Sequence, residues 1–154
     1  MQKRRHDTKR DRVQFLDVID NIEETLMDTL DKAMTCDNPI QNLNNVLLAH
    51  LAYAKERRET SFIIIMGAMQ FSDSIIRGKI SLLIQKYLQK IETLIASAVK
   101  LGLLKKEINI ETSAIVFLGI IQSTVTVWSY KNYNFVPQKV SAELWNIYKD
   151  GIGA

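Results

Sequence analysis

Apolar residues recur at every third or fourth position through most of this chain, which is the pattern of amphipathic helices. The first such stretch covers residues 11–34, and the second runs from Asn38-Pro39 to about residue 57. Asparagine suits a helix N-cap, and proline suits the first helical position. Two amphipathic helices are therefore predicted, with apolar stripes at Phe15, Leu16, Ile19, Ile22, Leu26, Leu30 and Met34 and at Leu43, Val46, Leu47, His50, Leu51 and Ala54.

Residues 62–71 form a run that is apolar on every side and follows the helix-starting residues 59–61. Such a run is typical of a short helix buried in the middle of a bundle. The β-branched residues 63–65 would also suit a strand. We predict a helix here, because the chain has no second strand-like run that could pair with a strand.

The second half of the chain predicts three more helices. Residues 72–74 supply capping side chains for the longest helix, which ends at Gly102 in the usual C-terminal glycine position. Asn109 begins the next helix, whose residues 114–128 are almost all apolar, so most of its circumference must be covered. Its Gly119 and Ser123 would let another helix backbone approach closely. Val136-Pro137 introduces the last helix, which carries the stripe Val140, Leu144, Ile147 and Tyr148.

Composition changes this picture little. A chain of 154 residues with 47% apolar and 24% charged residues suits one globular domain. Cys36 is the only cysteine, which excludes an internal disulfide and favours a reducing, cytoplasmic compartment. No apolar stretch reaches the roughly 18–20 residues that span a bilayer, so we predict no membrane segment. The N-terminus has no short apolar run of the secretory type.

The charge is concentrated at the N-terminus. Six basic and two acidic side chains give the first twelve residues a net charge of +4, whereas the whole chain carries +3. The sequence pI of about 9.0 therefore describes a terminal segment and not the body of the protein. We predict a basic arm at residues 1–10 and a single domain at residues 11–154.

Little in the sequence could build a catalytic centre. The only histidines are His6 and His50, and no metal-ligand, phosphate-loop or nucleophile-elbow motif is present. We therefore predict no enzyme activity, no catalytic residue, no metal and no cofactor. His50 lies on an apolar helix face, where it is either a core residue bonded to a neighbour or a ligand contact. Phe62, Met66 and Met69 either fill the core or line an adaptable apolar cavity.

Three segments together resemble the regulatory domain of the TetR family of transcription regulators. Residues 101–114 look like that family's glycine turn, short polar link and new helix, and residues 117–128 are similar to its penultimate helix. The capped start at Asn38-Pro39-Ile40 with Leu43 resembles an earlier helix of the same domain. The resemblance covers nearly the whole chain, although each segment alone is loose.

The resemblance implies an all-α, six-helix TetR-type regulatory domain whose last two helices form a four-helix bundle with those of a second copy. Family members also carry an N-terminal helix-turn-helix head that reads DNA. Residues 6–18 look like the segment that leaves this head, so the head is expected to be absent or truncated here. The chain would then contact DNA only through a head that it lacks.

The family pattern also assigns residues to two sites. We expect a homodimer with an isologous two-fold contact, and a small apolar or aromatic effector bound between the connecting helix, the long central helix and the penultimate helix. The interface candidates are Ile115, Leu118, Gln122, Val125, Val140, Leu144, Ile147 and Tyr148. The effector candidates are Leu30, Met34, His50, Phe62, Met66, Met69, Phe117 and Ile121.

Two other interpretations remain open at this point. A domain of this kind without a head could act as an interaction module that pairs with full-length regulators. Alternatively, the basic arm could bind DNA or anionic membrane surfaces non-specifically, with an affinity that falls steeply with salt.

Overall fold

The computed structural model describes residues 3–58 and 72–153, with side chains from residue 9 onward. The described residues form five helices and no strand, so the chain has the all-helical fold that the sequence predicts. The helices are α1 (Lys3–Ala33), α2 (Pro39–Glu56), α3 (Ser74–Lys100), α4 (Ile110–Tyr130) and α5 (Pro137–Ile152). The third of the six predicted helices, at residues 62–71, lies outside the described residues, as does the alternative strand.

Side-chain caps fix the starts of three helices, as the sequence predicts. Asn38 Oδ1 accepts hydrogen bonds from two backbone amides of the first turn of α2, and Asp73 Oδ1 does the same for α3. Asn109 Oδ1 accepts from the Thr112 amide at 2.8 Å. Each bond satisfies a backbone N–H that the helix itself leaves unpaired. At the other end of α3, Gly102 takes a φ of 72°, a left-handed conformation that glycine adopts without strain.

Helix α1 begins at Lys3, eight residues earlier than the predicted start near residue 11. The apolar pattern could not reveal these residues, because a polar segment has no buried stripe. Residues 1–11 contain neither proline nor glycine, and lysine and arginine are good helix formers. The basic N-terminal segment is therefore continuous with the first amphipathic helix.

Helix α2 is the centre of the body, since it packs against all four other helices. Its buried stripe joins one large core cluster, in which Leu43, Val46 and Leu51 have no exposed surface. The turn before it is fixed by Asn42, whose Nδ2 donates to the Cys36 carbonyl at 2.7 Å and whose Oδ1 accepts from the Cys36 amide at 3.0 Å. His50 lies on the buried side of the same helix.

Helices α1 and α3 lie side by side and run in the same direction. Ile19 of α1 packs against Ile76 and Ile80 of α3 in a second, smaller apolar cluster. Outside this cluster, a row of exposed ion pairs follows the seam, and in three of the four pairs a lysine of α3 meets a carboxylate of α1. The pairs are Arg12–Asp73, Asp20–Lys79, Glu23–Lys86 and Asp31–Lys90.

Helix α4 is more apolar than its burial requires. Within the described ranges it is the one helix long and apolar enough to cross a membrane by length and composition, with a mean hydropathy of 1.5. The apolar stretch taken from the sequence, residues 114–128, was therefore shorter than the apolar helix itself. Only 28% of its most apolar window is buried in this chain. The remainder of this helix therefore presents an apolar surface that no other part of the described chain covers.

Candidate effector site and helix surface

The centre of the candidate effector site is a polar pair in an apolar interior. His50 of α2 and Tyr87 of α3 are buried, with the His50 Nδ1 and the Tyr87 hydroxyl 2.9 Å apart. The two rings lie 5.3 Å apart between centroids and are tilted by 52°. His50 is therefore a core histidine bonded to a neighbour, and its contact with a ligand stays a prediction. This hydrogen bond joins the two helices at their inner faces.

Burial keeps both members of the pair uncharged. Desolvation lowers the pKa of His50 from 6.5 to about 4 and raises the pKa of Tyr87 above its usual range. At neutral pH the imidazole is therefore neutral, with one ring nitrogen that donates and one that accepts. A neutral pair of this kind can hydrogen-bond a neutral polar group without attracting a free ion.

Several predicted effector residues lie in the same core. Leu30, Phe117 and Ile121 are buried and belong with Tyr87 to the large apolar cluster, and half-buried Met34 packs at its edge. The structure thus brings together residues of α1, α3 and α4 around the inner face of α2. The remaining candidates, Phe62, Met66 and Met69, lie outside the described residues.

Tyr87 is the site residue that sequence reasoning missed. In the sequence it is one member of the aliphatic stripe of α3 and looks like core filling. A signal was nevertheless present, since a buried tyrosine needs a partner for its hydroxyl. His50 is likewise a polar residue within the apolar stripe of a neighbouring helix.

The shift of the His50 pKa predicts how stability changes with pH. Because the folded-state pKa lies below the unfolded value, the unfolded chain binds more protons between pH 6.5 and pH 4. Above pH 6.5 this histidine leaves the free energy of unfolding at its full value. As the pH falls through this window, the free energy of unfolding decreases by up to about 3 kcal/mol. We expect urea unfolding to show this loss, and a His50→Gln variant to show a smaller loss over the same interval. Equal pH dependence of the two proteins would contradict the prediction.

The predicted interface residues divide into three groups by exposure. Ile115 of α4 and Ile147 of α5 are 52% and 70% exposed. Leu118, Gln122, Val140 and Leu144 are half-buried, whereas Val125 and Tyr148 are buried inside this chain. Tyr148 donates its hydroxyl to the Ser113 carbonyl at 2.8 Å and packs edge-on against Phe117. Val125 and Tyr148 therefore belong to the core of the chain itself.

Exposed and half-buried apolar residues of α4 and α5 form a surface that we call the α4–α5 face. It consists of Ile115, Val116, Gly119 and Val127 on α4 and of Val140, Leu144 and Ile147 on α5. Gly119 has open space above its Cα. Val116, Gly119 and Val127 were not among the predicted interface residues, although residues 114–128 were recognised as apolar on too many sides.

The described part of the chain offers no obvious reaction chemistry. No group of three or more histidine, cysteine or acidic side chains there could hold a metal ion. Every described buried side-chain nitrogen or oxygen has a hydrogen-bond partner. A groove of about 720 Å³ between α1 and α3 is open and is lined mainly by charged side chains.

Together these features describe a helical domain with an apolar centre and an apolar face that no other described residue covers. The family model described as "YsiA-like protein, C-terminal region", a TetR C-terminal family, matches residues 15–151. The chain therefore belongs to this family of TetR-type transcription regulators, and the resemblance found in the sequence is confirmed. Members of this class are regulators and not enzymes, in agreement with the prediction from the sequence.

Solved structures of regulators share the fold. The fatty acid degradation regulator FadR from Bacillus halodurans superposes with a TM-score of 0.74 at 14% identity, over 85% of this chain and 72% of that one. FadR from Bacillus subtilis in complex with stearoyl-CoA gives 0.73 at 16% identity, with the same coverages. AibR in complex with isovaleryl coenzyme A and operator DNA gives 0.68 at 16% identity, over 86% and 71%. At these identities the likeness establishes the fold alone, and no curated protein matches the sequence.

Proposed function

We propose that this chain is the effector-binding and dimerisation domain of a TetR-type regulator whose effector carries an apolar acyl chain. The observation that carries the proposal is the neutral His50–Tyr87 pair, which places two polar groups inside an aliphatic interior. Sites for apolar ligands combine such an interior with a few placed polar groups. Two regulators of the same fold are described in complex with stearoyl-CoA and isovaleryl coenzyme A, which supports an acyl thioester as the effector class.

The uncharged state of the His50–Tyr87 pair favours a thioester over a free carboxylic acid as the effector. Desolvation strong enough to keep His50 neutral would also penalise a carboxylate brought beside it. A thioester carbonyl is uncharged and can accept a hydrogen bond from the pair. The acyl chain would then lie among Leu30, Phe117 and Ile121.

The domain is proposed to act as a homodimer, as TetR-family regulators do. The α4–α5 face supplies the apolar surface that a second copy would bury, and open Gly119 allows close approach of another helix. An isologous contact would place α4 and α5 of both copies in a four-helix bundle. On this proposal the exposed apolar side of α4 meets protein and not lipid, in a soluble, cytoplasmic regulator.

Helix α1 is the proposed route of the signal. It lines the core through Leu30 and continues towards the basic residues 1–10, which we propose as the link to a DNA-reading head. An effector that displaces α1 would change the spacing of two such heads, and DNA would be contacted only through them.

The test is effector binding with a matched pair of tyrosine variants. Dodecanoyl-CoA is expected to bind the chain, and Tyr87→Phe is expected to weaken its affinity about tenfold, because one hydrogen bond of the pair is lost. Tyr53→Phe is the control, since Tyr53 is also buried but bonds Thr25 elsewhere in the fold. Calorimetric titration measures both affinities. The proposal fails if no acyl thioester binds, or if the two variants lose affinity equally.

A further inference from the structure

Within the described residues, helix α1 does not pack against α4 or α5. It packs against α2 and α3 alone, whereas α4 packs against α2 and α3, and α5 packs against α2. A movement of α1 therefore reaches the α4–α5 face only through α2 or α3. A fixed relation between α1 and this face requires a helix that is bonded to both.

The C-terminal end of α2 is bonded to α1. Tyr53 is buried, and its hydroxyl lies 2.8 Å from the Thr25 Oγ1 of α1. Thr25 donates its single hydroxyl hydrogen to the Asn21 carbonyl at 2.7 Å, so Tyr53 is the donor to Thr25. Arg57 Nη1 donates to Asn21 Oδ1 at 3.2 Å, and the guanidinium lies 5.3 Å from the centroid of the Tyr53 ring. Two bonds of defined direction thus join this end of α2 to residues 21–25.

The same end of α2 is also bonded to the loop between α4 and α5. The Tyr133 hydroxyl donates to the Arg58 carbonyl at 2.7 Å, and the Arg58 guanidinium lies 5.7 Å from the centroid of the Tyr133 ring. Lys55 donates to the Phe135 carbonyl, and its ammonium lies 5.4 Å from the centre of the Phe135 ring. We call the residues of α2 and its end that make these contacts the α2 junction, namely Tyr53, Lys55, Arg57 and Arg58.

The loop holds Tyr133 in an uncommon backbone conformation. Asn132 and Tyr133 have positive φ values of 51° and 54°, which few residues as bulky as tyrosine adopt. Such a conformation persists only where the surrounding contacts hold it. The Tyr133 amide donates to the Trp128 carbonyl in the last turns of α4 at 2.8 Å, and the side chain is buried. Tyr133 is therefore fixed to α4 through its backbone and to the α2 junction through its hydroxyl.

The link through α3 is of a different kind. The ion pairs between α1 and α3, such as Asp20–Lys79, join largely exposed side chains, and exposed pairs contribute little free energy. The contact of Ile19 with Ile76 and Ile80 is apolar, and apolar contacts have no preferred direction. Hydrogen bonds made by buried tyrosine hydroxyls depend steeply on distance and angle. The α2 junction is therefore the link that constrains α1 more tightly.

We infer that Tyr133 is a positioning residue, which holds α1 in a fixed place relative to the α4–α5 face through the α2 junction. The inference rests on the proposed function, because that function takes α1 as the route of the signal and the α4–α5 face as the contact with a second copy. The separation of the two α1 helices in a dimer would then be set from the interface through one hydroxyl of the loop. Loss of this hydroxyl leaves the helices folded but gives α1 access to other positions.

The experiment measures the distance between α1 and α5 within one chain by double electron–electron resonance. Spin labels are attached at Val13→Cys and Asn146→Cys, two exposed positions, in a Cys36→Ser background. The doubly labelled chain is diluted with unlabelled chain, so that only distances within one chain are recorded. Tyr133→Phe is expected to increase the population outside the main distance peak about fivefold, the effect of one lost hydrogen bond.

Tyr148→Phe is the matched control for this variant. It also removes the hydroxyl of a buried tyrosine that donates to a backbone carbonyl, but the acceptor is Ser113 and the bond joins α5 to α4. This control should leave the distance distribution unchanged. Thr25→Val breaks the link at its α1 end and should broaden the distribution as Tyr133→Phe does. The combined variant should exceed neither single variant, because both changes interrupt one connection.

Each other outcome has a definite meaning. An unchanged distribution for Tyr133→Phe overturns this inference and leaves the proposed function standing. Equal broadening for Tyr148→Phe also overturns it, because the effect would then be a general loosening of the fold. A combined variant in which the two single effects multiply overturns it as well, because the two bonds would then act independently. If the chain does not dimerise, the proposed homodimer falls, whereas the distance within one chain still decides whether Tyr133 positions α1.

Discussion

Replacement of Ile147 by glutamate is expected to abolish the proposed homodimer. Ile147 is the most exposed apolar residue of the α4–α5 face on α5, with 70% of its surface accessible in the single chain. An isologous contact would bury two copies of the new carboxylate for each dimer formed. Two buried charges raise the dissociation constant at least about 100-fold. Sedimentation velocity over a range of concentrations measures the shift.

The control for this experiment is Asn146→Glu. It adds the same charge on the same helix, but at an exposed polar position beside the apolar stripe. This variant should remain a dimer. Circular dichroism should show native helix content for both variants, since neither residue is buried in the single chain. A monomeric unmodified protein, or a dimer that Ile147→Glu leaves intact, would contradict the assignment of this face.

Replacement of Phe117 by alanine is expected to cost about 3–5 kcal/mol of the free energy of unfolding. Phe117 is 1% exposed, is among the largest fully buried side chains, and meets the Tyr148 ring edge-on at 5.3 Å between centroids. Truncation leaves a cavity where α4 meets the core, and the surrounding helices cannot close it completely. Urea denaturation at a fixed protein concentration measures the loss.

Leu82→Ala provides the comparison for this prediction. Leu82 is a large apolar residue of α3, but 47% of its surface is exposed, so its truncation leaves no enclosed cavity. The expected change is below about 1 kcal/mol, because little buried area is lost and alanine is a good helix former. Similar losses for the two variants would show that Phe117 does not have the central role assigned to it.

The sequence predicts most of the fold because each helix carries its own signals. The stripe from Ile22 to Leu30 and the stripe of α2 are buried as the period of 3.6 residues requires. The caps at Asn38, Asp73 and Asn109 set the starts of α2, α3 and α4. The predicted start of α1 was wrong. The helix extends to Lys3 through polar residues, which bury no apolar stripe that a pattern could reveal.

The candidate site was less predictable, because it depends on which helices meet. The sequence marks His50 as a polar residue on an apolar face, but it does not show that Tyr87, 37 residues later, lies opposite. The contact between the Tyr133 hydroxyl and the Arg58 carbonyl poses the same problem, since the two residues lie 75 residues apart. This contact depends on the turn at Tyr133, and a positive φ at a tyrosine has no signature in the sequence.

The ion-pair row between α1 and α3 does not by itself determine how these helices are aligned. Its lysines meet Asp20, Glu23 and Asp31, and the residues three positions before these are Asp17, Asp20 and Asp28, which are all acidic as well. A displacement of α1 by nearly one turn, about 4.5 Å, would exchange each carboxylate for another. The charges therefore hold the two helices together at either register. The alignment therefore rests on the apolar contact beneath them, in which Ile19 packs against Ile76 and Ile80.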